Sequence, residues 1–253
     1  MSNLRIEPVL CRAGTMDNYA WLLTDEETGQ SAVVDPSEAA PIIARCKELG
    51  IKPQYIFNTH HHYDHTDANL ELKALYGAQV VGGAADLNRI PGIDIGLNDG
   101  DTFSLGSSRA EIIRADGHTI GHILWYFPEA KALFTGDTLF NLCIGGLFEG
   151  SAEQMFATLN KIKELPNDVK FYPGHEYTIH GIGFAQYFNP NSQLLKQYVE
   201  EAMGKIKHGK PVAPVTLGLE KHCNPYLQAV TPASLNKLLS LIHISEPTRL
   251  QLI

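Results

Sequence analysis

The chain has few cysteines and none of them paired. Cys11, Cys46, Cys143 and Cys223 are scattered without a CxxC, which excludes a disulfide framework and a thiolate zinc finger and leaves them as small buried hydrophobes. Long apolar runs are also missing. No stretch approaches the roughly 18 apolar residues that cross a bilayer, and the opening MSNLRIEPVLCRAG has neither the basic nor the apolar region of a secretion signal. A cytoplasmic protein with no membrane partner is expected. Positive charge is scarce: 20 Lys+Arg against 28 Asp+Glu give a formal net charge of -8 with no basic stripe, so nucleic acid is not an expected partner. No internal repeat or low-complexity tract is visible.

What is present is an ordinary globular composition, 44% hydrophobic and 19% charged over 253 residues, enough for one large domain or two small ones. Apolar runs bounded by turn residues predict strands at 6–11, 19–24, 31–36 and 54–60. Between the last two, SEAAPIIARCKELG has apolar residues at helical spacing, with Ser37 and Gly50 as its expected caps. A second helix is expected at 67–77. A strand at 78–83 follows it, and then a meander through 101–106, 110–118, 122–127 and 131–137. Ser151 and Gln154 stand in capping-box register for a helix over 151–165 that stops before Pro166. A strand at 169–176 is the last one expected, with helices at 178–188 and 192–208. The fold class is therefore α/β (α+β), two mixed sheets with outer helices, with a boundary near 176.

Histidine is the anomaly. Of 11 in the chain, four fall within positions 60–65, in THHHYDH directly after an expected strand. At a strand end residues two apart share a side, so His60 and His62 can meet one ion while His61 points away, and the following turn can bring Asp64 and His65 to a second. Three further candidates end apolar runs beside a glycine: His118, Asp137 and His175. Taken singly, each reads more readily as a polar turn residue than as a ligand, and Asp137 before Thr138 as a helix cap. The cluster does not, because neither a surface nor a core can readily use four adjacent imidazoles. Seven donors amount to six terminal ligands and one bridging carboxylate. An HExxH site is excluded, since no Glu lies between His61 and His65. Imidazole with carboxylate suits two divalent ions, zinc first, with iron or manganese as alternatives.

THHHYDH, ADGHTIGH, FTGDTLF, LFEG and YPGHEYT, in this order, resemble the metallo-β-lactamase fold superfamily, and within it the hydroxyacylglutathione hydrolase (glyoxalase II) family. The resemblance runs from about residue 15 to about 230 and includes HGKPVAPVTLGLEKHCNPYL. It implies an αββα sandwich, residues 1–176, followed by a helical substrate-binding domain at 177–240. It further implies that His60, His62 and His118 hold one metal, that Asp64, His65 and His175 hold the other, and that Asp137 bridges them. Asp64 and Asp137 would hold the metal-bridging hydroxide, since paired ions lower the pKa of water towards about 7. The implied partner is a small-molecule glutathione thioester, and the chain is expected to be a monomer or weak oligomer. His122 and Thr119 are candidates for orienting ligands.

The pattern also departs from the family. Tyr177 matches a residue that hydrogen-bonds glutathione, but Gly146 stands where a basic residue is usual, Phe148 where some relatives have Tyr, Gln228 where Arg is expected, and Asp116 where Pro or Cys is common. Lys205, Lys207, Lys210 and Lys221 are candidate replacements for the missing charge. The ending SLIHISEPTRLQLI resembles translated adapter sequence, so 241–253 is set aside as a non-native tail. The alternatives are a persulfide dioxygenase-like oxidoreductase with one iron, another hydrolase of this fold with a substrate other than glutathione, and a metal-stabilised binding module without a substrate pocket.

Overall fold

A computed structural model describes residues 3–245. The first half runs β1 (Leu4–Cys11), β2 (Asn18–Asp25), β3 (Ser31–Val34), α1 (Ala39–Leu49), β4 (Tyr55–Phe57), α2 (Tyr63–Thr66), α3 (Asn69–Tyr76), β5 (Gln79–Gly83) and β6 (Ile93–Leu97). These strands form one six-stranded sheet in sequence order, antiparallel up to β3 and parallel from β3 onward. The second half adds β7 (Thr102–Leu105), β8 (Ser108–Arg114), β9 (Ile123–Phe127) and β10 (Ala132–Gly136), then a hairpin of β11 (Leu139–Phe140) and β12 (Cys143–Ile144). After α4 (Ala152–Glu164) come β13 (Lys170–Pro173), α5 (Thr178–Phe188), α6 (Gln193–Lys207), β14 (Val215–Thr216), α7 (Leu217–Cys223) and α8 (Pro232–Ser245). The second sheet has the order β14-β13-β10-β9-β8-β7.

Burial on both faces of each sheet makes four layers. In β2, Tyr19, Trp21 and Leu23 point into the core between the sheets, where Phe57 and Trp125 stack with centroids 4.2 Å apart, while Ala20 and Leu22 face the α1 side with Ile42 and Cys46. On the other side Leu124, Leu133 and Phe171 pack against Met155 and Leu159 of α4 and Leu235 and Leu238 of α8. This is the expected αββα sandwich. Among the described residues, no helix is long and apolar enough to cross a membrane.

The capping box of α4 is present, and Gly50 closes α1 in the left-handed conformation. The other cap of α1 differs from expectation: Glu38 is the N-cap and makes no side-chain cap bond, because the Ser37 hydroxyl is taken by Arg12 Nε at 2.7 Å. Strand β6 was not anticipated, although Ile93, Ile95 and Leu97 alternate with Asp94 and Gly96 as in a half-buried strand; it pairs in parallel with β5. Nor do strands end at 176. β14, from the helical region, pairs with β13 and ties that region into the second sheet. The proposed tail boundary at 241 falls inside α8, and residues 246–253 lie outside the described residues.

The two sheets are joined at the end where β2 finishes. The fully buried Asp25 accepts from Thr28 N and Oγ1, Ser107 Oγ, and Ser108 N and Oγ, at 2.7–3.0 Å. Burial opposes its ionisation, but the donors from Ser108, Thr28 and Ser107 hold the carboxyl well below the ordinary range. A depressed folded pKa contributes stability above the unfolded value of about 3.9, and that stability is lost as pH falls through the folded value. Asp25→Ala is therefore expected to lose about 2–4 kcal/mol in urea unfolding at pH 7. The difference from the parent should shrink as both are titrated below pH ~3; an equal difference at both pH values would refute the ionic role.

Candidate metal centre

The opposite end of the sandwich collects the charged residues. His60 and His62 follow β4, Asp64 and His65 belong to α2, and His118 lies in the loop between β8 and β9. Asp137 follows β10 and His175 follows β13. His118 was expected as a strand end; β8 in fact stops at Arg114, and the loop carries the histidine inward.

The donor atoms converge in two groups, His60, His62 and His118 in one, Asp64, His65 and His175 in the other. His62 Nδ1 lies 3.0 Å from His118 Nε2, and the His60 ring is 4.7 and 5.0 Å from those two rings. In the second group His65 Nε2 and His175 Nε2 are 3.2 Å apart, at 3.5 and 3.2 Å from Asp64 Oδ2. Asp137 stands between the groups. Its Oδ1 is 3.2 Å from His65 Nε2, and its Oδ2 is 3.5 Å from His118 Nε2 and 3.3 Å from His175 Nε2.

Outer partners fix which nitrogen faces inward. His118 Nδ1 is 2.7 Å from Gly146 O and His175 Nδ1 2.8 Å from Met16 O, so each must donate there. His65 Nδ1 donates to Asp35 Oδ2 at 3.1 Å, and His60 Nδ1 to Thr59 Oγ1 at 3.0 Å, whose own proton goes to Asp35 at 2.7 Å. With tautomers assigned this way, four Nε2 lone pairs point at the centre. Asn18 Nδ2 holds Asp64 Oδ2 at 3.0 Å. His122 Nε2 accepts from Asp137 N at 3.3 Å and its ring stacks on His60 at 4.8 Å.

The electrostatics favour a cation. Burial opposes charge on Asp137, yet His65 and His175 hold its carboxyl well below the carboxylate range. Burial likewise works against protonation of His175, but Asp137 and Asp64 raise it to about 9, and they raise His65 as well. Burial, with His118 beside it, lowers His62 to about 4. One side thus offers neutral imidazoles and the other carboxylates. Two inward atoms, His60 Nε2 and Asp137 Oδ1, are buried with no hydrogen-bond partner. Unpaired imidazole nitrogen and carboxylate oxygen are donors for divalent metal, and the cluster binds a divalent metal ion.

Sequence reasoning overlooked Asn18 and Asp35. Asp35 falls within reach of His60 and His65, but its oxygens already accept from Thr59 and His65, so it orients rather than ligates. The signal for it existed, an acid ending the apolar run SAVVD; Asn18 carried none. His61 turns outward as expected, to Glu149 at 3.3 Å and the buried Asp86 at 3.5 Å. Thr119, next to His118 in the chain, is buried, and its hydroxyl has no hydrogen-bond partner among the described residues.

The expected substrate residues line the same end. Tyr177 stacks on His175 with centroids 4.5 Å apart at 13°, and burial raises its phenol, which stays protonated. Phe148, 53% exposed, sets its ring edgewise to His62 and His118 at 5.8 and 5.2 Å. Gly146 is exposed, and a Cβ there would meet nothing closer than Phe148 at 3.5 Å. Of the lysines, Lys205 and Lys221 are bound to Val212 O and Leu165 O, away from the centre. Gln228 donates to His222 O and accepts from Asn189.

Residues 13–175 match the family model of the metallo-beta-lactamase superfamily, and residues 176–246 match that of the hydroxyacylglutathione hydrolase C-terminus. The hydroxyacylglutathione hydrolase of Rhodospirillum rubrum is 43% identical over 90% of this chain and 88% of its own. That of Methylococcus capsulatus is 43% identical over 85% and 84%. Among solved structures, ETHE1 from Myxococcus xanthus superposes with a TM-score of 0.72 at 21% identity, over 98% of this chain and 94% of that one. A metallo-beta-lactamase from Staphylococcus aureus gives 0.72 at 21%, over 95% and 68%. At such identities the structural likeness shows the fold.

Proposed function

The chain belongs to the hydroxyacylglutathione hydrolase family of the metallo-β-lactamase superfamily, and on that premise we propose that it hydrolyses S-lactoylglutathione or a similar 2-hydroxyacyl-glutathione to glutathione and a 2-hydroxy acid. The observation that carries this reading is the pair of donor triads sharing Asp137. His60, His62 and His118 would hold one divalent ion and Asp64, His65 and His175 a second, with Asp137 placed to serve both. Zinc is the first choice. When bound, two such ions supply a water of lowered pKa and polarise a carbonyl oxygen.

The protein's own residues do the rest. Asp64 and Asp137 supply the negative charge that holds the centre together, and Asn18 and Asp35 keep the donors aimed. Tyr177, protonated and stacked against His175, donates a hydrogen bond to substrate, while Phe148 and Gly146 border the entry beside His62 and His118. No separate general acid is required, because a thiol of pKa about 8.5 leaves readily as thiolate. Residues 1–176 carry the chemistry and 177–240 bind the thiol half.

Hydrolysis of glutathione, coenzyme A and simple thiol esters measured side by side tests the substrate. Preference for the glutathione ester is expected; equal rates on all three would remove glutathione from the reading. Gly146→Arg, at an exposed position where an added Cβ makes only ordinary contact with Phe148, should lower KM for glutathione esters with little change in kcat by adding a cation for their carboxylates. An unchanged KM would mean that the thiol half binds elsewhere.

A further inference from the structure

A buried carboxylate in the helical region has no part in the chemistry above. Glu220 of α7 is fully buried, and its Oε1 accepts from Tyr198 at 2.6 Å while its Oε2 accepts from Leu142 N and Asn224 Nδ2, both at 2.9 Å. Asn141 Nδ2 completes the network by donating to Tyr198 at 2.7 Å, and Asn224 Nδ2 also reaches Cys143 O at 3.1 Å. Glu220, Asn141, Leu142, Tyr198 and Asn224 are all buried, and Cys143 is half-buried. Leu142 is the tip of the β11–β12 hairpin, in the left-handed conformation at φ 62, and its side chain is inserted among Ala185, Leu195 and Tyr198.

That hairpin joins two parts of the metal centre along the chain. It begins just after Asp137 and ends just before Gly146, whose carbonyl aims His118. Between them Phe140 sets its ring against His175 and Tyr177, at 5.8 and 5.3 Å. A two-residue ladder cannot hold such a segment by itself. A turn tip with positive φ at a leucine persists only where its surroundings over-determine it.

We propose that Glu220 is a positioning residue for the metal centre: by accepting from Leu142 N it fixes the 137–146 segment, and so the directions of Asp137 and His118. The helical region then serves the metals as well as the substrate. What the contact requires is reach rather than charge. Burial pushes the carboxyl up to about 7, against the donors Tyr198, Leu142 and Asn224, and a neutral carboxyl or amide still presents an oxygen to Leu142 N.

This rests on the metal-hydrolase reading, but its test does not depend on the substrate. Zinc affinity is measured on chelator-treated protein by competition with a chromophoric chelator, alongside thermal unfolding. Glu220→Ala and Glu220→Asp, which withdraw the oxygen, are expected to weaken zinc binding about 10–100-fold, as loss of an orienting partner does, and to lower kcat with KM little changed. Glu220→Gln, with the same reach and no charge, should fall much closer to the parent. If the alanine variant does not fold, the comparison of Asp with Gln decides. Folded Glu220→Asp binding zinc as tightly as the parent, or Glu220→Gln as impaired as Glu220→Asp, would overturn the proposal. Weakened zinc binding in a protein that leaves glutathione esters intact would instead sink the substrate reading and leave this one standing.

Discussion

Asp137→Ala is expected to leave the purified protein with less than one metal per chain and to lower kcat/KM by about three orders of magnitude or more, the scale of the several kcal/mol that bound metal contributes. The size follows from position. Among the described residues Asp137 is the one anion within 3.5 Å of both groups, touching His65 and His175 on one side and His118 on the other. Without it the His60, His62 and His118 group has no anion, and its imidazole nitrogens, 3.0 Å apart in the closest pair, face one another with nothing to offset the charge of a cation. His61→Ala is the control. Its ring faces Asp86 and Glu149, so elemental analysis without chelator should still find close to two metals. The reverse ordering of these two variants would refute the ligand register, and one iron with no second ion would favour the mononuclear oxidoreductase reading.

Gly174→Ala, a change of one methyl on a residue that ligates nothing, should be nearly as damaging. A Cβ at Gly174 would lie 2.6 Å from His65 Cε1 and nearer still to Asp137 Oδ1. Neither neighbour can give way, since His65 is held by Asp35, and Asp137 is fully enclosed between His65, His118 and His175. The backbone cannot retreat either: Gly174 N donates to Gly136 O and its carbonyl accepts from Tyr19 N, both at 2.8 Å. The second metal should be lost first, with at least a hundredfold fall in kcat/KM, because a displacement of about 1 Å at a reacting centre costs that much. Far-ultraviolet circular dichroism should stay at the parent's level, since the clash is confined to the centre. Full metal content in this variant would show that the site tolerates more room than the described packing allows.

Strand and helix periodicity made two mixed sheets with outer helices legible, the family resemblance supplied their αββα order, and the caps at Gly50 and Ser151 were readable because they are local bonds between near neighbours. The α1 N-cap was not, because Arg12, far off in sequence, took the Ser37 hydroxyl. Strands β6 and β14 were also missed: IDIGL carries an apolar alternation that was overlooked, whereas VT is too short to declare itself and forms because β13 presents an open edge.

At the centre, the amino-acid order alone specified the supply of donors. THHHYDH after an apolar run concentrates four imidazoles and a carboxylate within a few residues; three of the imidazoles and the carboxylate converge on the centre, and His61 alone turns outward to Asp86 and Glu149. It could not specify which ring nitrogen faces inward, since that depends on Gly146 O, Met16 O, Asp35 and Thr59, brought from separate loops. Nor could it reveal Asn18, or the reach of Glu220 across to Leu142. A short motif carries its chemistry in its own side chains, whereas orientation and charge balance come from partners distant in the chain, and only the packing of two sheets and a helical cap sets their distances.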